Sequence, residues 1–290
     1  MTHFICQTCG TQYADRATEP ADPTGQVRGE PRSTVGWARA HQPTCRICLD
    51  DRQYVDWAGQ RWTTHEDLLR NHEARLEMDG DLLGIGITPS FAIPQRALYL
   101  PTDAVNILWE CTSLASPKAV AELKARGGVD MIVISHPHFY SSMIEWSDAF
   151  GGVPVLIHEA DKAWVNRSSA NLTFWQGDTH ALSPTVSLYR CPGHFPGSTV
   201  LHWKAGPKGK SILLPGDALH VVQDRRHVTF MYSVANYIPS HPDNVSEIRR
   251  RLQGLEIDDV YGYTWGLNIV GGGRAAVDES FERYSRAVGR

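Results

Sequence analysis

"SHPHFYSSM" (residues 135–143) is the stretch on which the fold turns. An apolar, strand-like run, Met131 to Ile134, delivers His136 and His138 at spacing i and i+2, and Pro137 bends the chain toward a predicted helix over 142–150. That spacing does not place two side chains on one helix face, but on a tight turn after a strand both imidazoles can converge on one cation. Two further segments end predicted strands in the same way. "CPGHFPGS" (191–198) sets His194 between glycines, and "LPGDAL" (214–219) sets Asp217 on a Pro-Gly turn. Strand-to-loop junctions are where a rigid scaffold presents functional side chains. Each residue taken singly has an ordinary alternative, a buried histidine satisfied by a backbone carbonyl; the combination points to a metal centre.

Working outward, short apolar strands begin near residue 81 ("LLGIGITPSFAI", "RALYL", "AVNILWEC"), followed by a helix with Ser116 as N-cap, Pro117 at its first position and Gly127 at its end. "VPVLIHE" reads as a strand and 159–166 as a short helix. "TVSLYR", "STVLHW", "SILLPGD" and "HVTFMYS" form a second set of strands, then "NVSEIRRRLQGL" a helix, "DDVYGY" a strand and "VDESFERYSRAVG" a last helix. Two strand-rich halves, each with its own helices, predict two sheets packed face to face with helices outside. "TTHEDLLRNHEARLEMDG" (63–80) has apolar residues at helical spacing and a glycine stop, which predicts a helical connector.

In their order and spacing the three segments resemble the metallo-β-lactamase superfamily over roughly residues 81–270. His136 and His138 match the first two histidines of its H-x-H-x-D-H motif, "GHFPGS" its G-H-T-P-G-S segment, and "PGDAL" its Gly-Asp segment. The resemblance implies an α+β fold, an αββα sandwich, with the small N-terminal module lying outside it. It also implies which cation is kept. The ligands of the first metal survive as His136, His138 and His194, and the shared carboxylate survives as Asp217. The ligands private to the second metal are replaced by Tyr140, Ser141 and Tyr263.

Three neutral imidazoles and one carboxylate suit zinc, with iron(II) or manganese(II) as alternatives. Asp217 is then either a fourth ligand or the group that orients and deprotonates a water, and Tyr140 and Tyr263 are either catalytic hydrogen-bond donors or packing residues. Phe139, Trp146, Phe195, Tyr232 and Trp265 are placed near the expected mouth.

Cys6, Cys9, Cys45 and Cys48 form two Cys-x-x-Cys pairs in a segment poor in aliphatic residues. Such a segment lacks a core of its own, and a structural tetrathiolate zinc would supply it. The insertion between the pairs is longer than the common ~12–20 residues, and His41 is an alternative ligand. Cys111 and Cys191 are expected to be unpaired thiols. The domain boundaries follow: a zinc-ribbon-like module over 1–62, the connector over 63–80 and the main domain over 81–290.

The chain has 290 residues, formal net charge −4, 42% hydrophobic and 21% charged residues, values that argue against disorder and against nucleic acid or an anionic membrane as the main partner. The first 50 residues hold no lysine and balance five arginines with five acids, so the module has no basic face. No signal peptide or membrane span is read, which predicts a cytoplasmic protein. The expected function is a mononuclear metal-dependent hydrolase of an ester-like, thioester or lactone small molecule. The alternatives are a ligand-binding or regulatory protein on the same fold and a non-hydrolytic, redox member. A second copy of the chain or a protein partner is expected to meet the N-terminal module, if any does.

Overall fold

Alternation of apolar and polar residues along the predicted strands is satisfied by two sheets that share one buried layer. The structure, a computed structural model, describes residues 3–14 and 45–289; His41 lies outside them. One sheet has seven strands in the spatial order Leu172–Trp175, Val155–His158, Met131–Val133, Asn106–Trp109, Ala97–Pro101, Leu82–Thr88 and Glu73–Asp79. Its first four are parallel neighbours and the remainder antiparallel. The other has six, in the order Thr179–Ala181, Val186–Arg190, Thr199–Trp203, Ile212–Leu214, Asp259–Tyr261 and Asn268–Ile269.

Three cores make the layering explicit. Leu98, Leu100, Ile107 and Val133 of the first sheet meet Leu188, Leu201, Trp203 and Leu214 of the second in one cluster. The outer face of the first sheet packs on α2 (Pro117–Ala125) and α3 (Met143–Ala149) through Leu123, Ile144 and Trp146. The outer face of the second packs on α4 (Pro242–Leu252) and α5 (Gly273–Ala287) through Ile248, Leu252, Val277 and Phe281. This is the αββα sandwich, an α+β fold. Ser116 caps α2 as expected, its side chain accepting from the Ala119 amide.

The connector differs from its expected form. Only His65–Asn71 is helical (α1, capped by Thr64), and Glu73–Asp79 is an edge strand of the first sheet paired residue for residue with Leu82–Thr88. Helix-favouring Glu, Ala, Leu and Met are overridden because the two-residue turn Gly80–Asp81 closes a hairpin that covers the sheet edge. Gly80 takes φ +65°, and a Cβ there would collide with Tyr261. "HVTFMYS" also departs from expectation: Val228–Thr229 and Met231–Ser233 form two small hairpins outside the main sheets. In the N-terminal module, Phe4–Cys6 pairs with Gln12–Tyr13 and with Trp62–Thr64. Among the described residues no helix is long and apolar enough to cross a membrane.

Candidate metal centres

The histidine centre sits where loops from the two sheets meet. The parallel strand Met131–Val133 is flanked on both sides and runs into His136 in extended conformation and a single 3-10 turn, Pro137–Phe139. From the second sheet come the bend 191–198, with Gly193 at φ +146°, and the turn after Ile212–Leu214, with Gly216 at φ +52°. A Cβ on Gly216 would lie 2.4 Å from Ser135 Oγ, so only glycine lets this turn approach the His136 loop. The Thr199 amide completes the junction by donating to Ser135 O at 2.9 Å.

Four donors converge there: His136, His138, His194 and Asp217, all buried. Asp217 Oδ2 lies 3.5 Å from His136 Nε2 and 3.6 Å from His194 Nε2, and His194 Nε2 lies 3.0 Å from His138 Nδ1. A tetrahedral ion bound at ~2.0–2.1 Å requires donors about 3.3–3.4 Å apart, so the spacing fits. His194 Nδ1 donates to Tyr232 O at 2.8 Å, which aims Nε2 inward, and His136 Nδ1 is held by Ser135 Oγ at 2.7 Å. Buried His136 Nε2 and Asp217 Oδ1 have no hydrogen-bond partner. Burial pushes the His138 imidazole down to about 3 and those of His136 and His194 well below the ordinary value, so all three are neutral lone-pair donors. Burial pushes the Asp217 carboxyl up to about 7. Neutral imidazoles around a costly buried carboxyl are what a cation would relieve.

Tyr140, Ser141 and Tyr263, the residues that the sequence resemblance sets in place of a second metal's ligands, make other interactions. Tyr140 is buried, and its hydroxyl donates to Asp161 O at 3.2 Å. The catalytic expectation for Tyr140 is therefore replaced by packing, because its one donor is committed away from the centre. Ser141 Oγ accepts from Gln95 Nε2 at 2.9 Å. Tyr263 packs edge-on to His220 with centroids 4.7 Å apart and against Phe139; burial, with a smaller contribution from Asp217, pushes its hydroxyl up to about 12. Among the described residues the only groups of three or more His, Cys, Asp or Glu with metal-ligand spacing are this centre and the cysteine cluster. Of the aromatic residues expected at a mouth, Phe139, Trp146 and Phe195 are core. Trp265 alone lines a cleft of about 230 Å³, together with Arg75, Phe91, Gln95, Ser113 and Thr264.

Three participants escaped the sequence reading. His220, three residues after Asp217, is half-buried, its Nε2 enclosed and unpartnered, and desolvation pushes it down to about 4. Glu110 ends the strand Asn106–Trp109 and accepts the Ser135 amide through Oε2, while Oε1 is unpartnered. An acid directly after "NILW" was a visible signal for Glu110, and "GDALH" for His220. Arg52 had none.

Cys6, Cys9, Cys45 and Cys48 form the second cluster, with Cys6 and Cys48 sulfurs 3.5 Å apart and Cys9 and Cys45 sulfurs 3.4 Å apart. Zinc at ~2.3 Å from each sulfur spaces them about 3.8 Å apart, close to what is seen. Hydrogen bonding with Cys45 holds the Cys6 thiol far below the usual range and raises that of Cys48, and burial raises that of Cys9. Buried sulfurs this close cannot all ionise without a cation, which is the fit of a tetrathiolate site. Gln60 Nε2 and the Tyr13 hydroxyl lie 3.1 Å from Cys6 and Cys45 sulfurs. Cys111 and Cys191 are buried and unpaired, as expected.

YmaE of Bacillus subtilis (strain 168), an uncharacterized protein, is 37% identical over 291 residues, covering 99% of this chain and 97% of its own. The chain belongs to the YmaE family. No protein-family model matches it. The crystal structure of DIM-1 metallo-β-lactamase superposes with TM-score 0.53 at 14% identity, over 74% of this chain and 98% of that one. Rm3 metallo-β-lactamase gives TM-score 0.49 at 14% identity, over 84% and 97%. The fold of this YmaE-family chain is thus of the metallo-β-lactamase type, with one four-donor centre at the loop junction and a four-cysteine cluster beside it.

Proposed function

We propose that the protein is a mononuclear metal-dependent hydrolase acting on an ester, thioester or lactone carbonyl of a small molecule. The observation that carries this reading is the Asp217 carboxyl. One oxygen faces the His136 and His194 imidazoles while the other, buried Oδ1 has no partner, the arrangement of a group that accepts a proton from a reacting water. His136, His138 and His194 would hold zinc, iron(II) or manganese(II), which supplies Lewis-acid polarisation and a water nucleophile near neutral pH. Ser135 and Tyr232 orient two of these imidazoles. The Tyr263 hydroxyl, kept protonated, is a donor for negative charge developing on the carbonyl oxygen. The cleft at Trp265 reaches Gln95 and Thr264, neighbours of Ser141 and Tyr263 in space and sequence, and is the proposed substrate approach. We place this chemistry in a reducing, cytoplasmic compartment, because a tetrathiolate cluster requires reduced cysteines. A small molecule is the proposed partner, and neither nucleic acid nor membrane.

One observation favours a second reading, a ligand-binding or regulatory protein. All four donors are at most 6% exposed, and a metal held by four protein donors has the closed form of structural sites. Metal analysis combined with a panel of esters, thioesters and lactones separates the two. The hydrolase reading requires two metals per chain and turnover, loss of one metal in His138→Ala, and at least ~100-fold loss of turnover in Asp217→Asn with metal retained. Metal-loaded protein inert toward the whole panel favours the second reading.

A further inference from the structure

We infer that Arg52, four residues beyond Cys48 in the cysteine-rich module, is a positioning residue for the histidine centre, so that the module forms one wall of that centre. The inference rests on the metal-binding reading of the centre given above. Arg52 Nη1 donates to the His194 carbonyl at 3.0 Å, and its guanidinium lies over the Phe195 ring, 3.8 Å from the centroid. Asp50 grips the same guanidinium from the other side, with Nη2 to Oδ2 at 2.8 Å, and both side chains are largely buried. The Arg52 carbonyl accepts from Ser233 Oγ at 3.1 Å. Ser233 follows Tyr232, whose carbonyl accepts the His194 Nδ1 hydrogen at 2.8 Å.

These contacts close a circuit: the Arg52 side chain holds the His194 backbone, the His194 ring is held by the Tyr232 backbone, and the next side chain holds the Arg52 backbone. Asn236 reinforces it, its Nδ2 donating to Asp51 O at 2.9 Å and Gln53 O at 3.1 Å. Sealing a surface would need only the apolar stem of an arginine. Here all three nitrogens of the planar fork donate, two to a carboxylate and one to a carbonyl, a geometry that lysine does not reproduce. The carbonyl it holds belongs to the ligand itself, at a bend that begins with Gly193 in left-handed backbone. Without Arg52 that buried carbonyl loses its donor, the bend relaxes, and the imidazole is no longer fixed toward His136 and His138.

The test is a cobalt(II) titration of the metal-stripped full chain, where thiolate-to-cobalt charge-transfer bands report the cysteine cluster and nitrogen/oxygen ligand-field bands the histidine centre. Arg52→Met is expected to weaken cobalt at the histidine centre ~10–100-fold with thiolate bands unchanged, and Arg52→Lys to recover part of the loss. Arg52→Met that titrates like the wild type at both sites, or that loses both equally, overturns the inference. Should Arg52→Met not fold, Asp50→Asn decides: selective weakening of the histidine centre supports the inference, and an unchanged titration overturns it. A wild type that takes up only thiolate-bound cobalt overturns the metal reading itself, a result distinct from an Arg52 effect that is merely absent.

Discussion

The two donor clusters are built by opposite means. In the N-terminal module the ligands are themselves the core: among the described residues, Cys6, Cys9, Cys45 and Cys48 pack with Tyr13 and Ile47 and with the partly buried Val55, Trp62, Ile93 and Trp164. The histidine centre hangs on loops between two sheets that have a complete apolar core without it. A cation in the first would be a folding component, and in the second a guest of a finished scaffold. The same element therefore has different consequences when removed, and the largest contrast is thermodynamic.

Cys48→Ser tests that contrast most severely. It is expected to remove one metal equivalent and at least about 3 kcal/mol of stability, read by metal analysis and thermal unfolding, since metal binding and folding of the module are one process. The metal-depleted His138→Ala protein should stay close to the metal-stripped wild type. Equal losses in the two variants would break the comparison.

A middle-sized effect belongs to Glu110, beneath the histidine centre. Burial pushes its carboxyl up to about 8 from an ordinary 4.5. The folded state then keeps a proton that the unfolded chain has released, so the stability contribution is fully present below about 4.5 and is lost as pH rises through about 8. In metal-free protein, Glu110→Gln should match the wild type near pH 4 and exceed it by a few kcal/mol at pH 9, because each tenfold change in proton affinity between the two states is worth roughly 1.4 kcal/mol. Denaturant unfolding across pH checks this, and an unchanged pH slope would show that the carboxyl is not held neutral by the fold.

The smallest effect sharpens the division between chemistry and packing at the centre. Tyr140→Phe removes only the bond to Asp161 O and should cost about 1 kcal/mol while leaving both metals in place. Loss of metal at the histidine centre would return Tyr140 to a functional role.

How much was legible depended on how local the signal was. Ser116 and Gly216 announce a cap and a turn through neighbours within a few residues, and both are found where the sequence places them; the i, i+2 histidines lie together in a group of four donors that could hold an ion. The strand Glu73–Asp79 was hidden because its composition favours a helix, and only pairing with Leu82–Thr88 decides otherwise. Glu110 and His220 carried weak local signals, an acid closing an apolar strand and a histidine just past the Asp217 turn. Gln95, which donates to Ser141, carried none.

By itself the sequence determined the donor chemistry: which atoms can bind a cation, and that they come as two sets. Those are properties of residue type and short spacing, which fold cannot alter. Only the tertiary structure decided that Asp217 meets the His136 and His194 imidazoles with one oxygen unpartnered, that the Tyr140 hydroxyl bonds Asp161, and that Arg52 reaches His194 across the chain. The reason is physical: hydrogen bonds and burial between residues far apart in sequence depend on which surfaces the two sheets and the cysteine module bring together, and no local pattern encodes that contact.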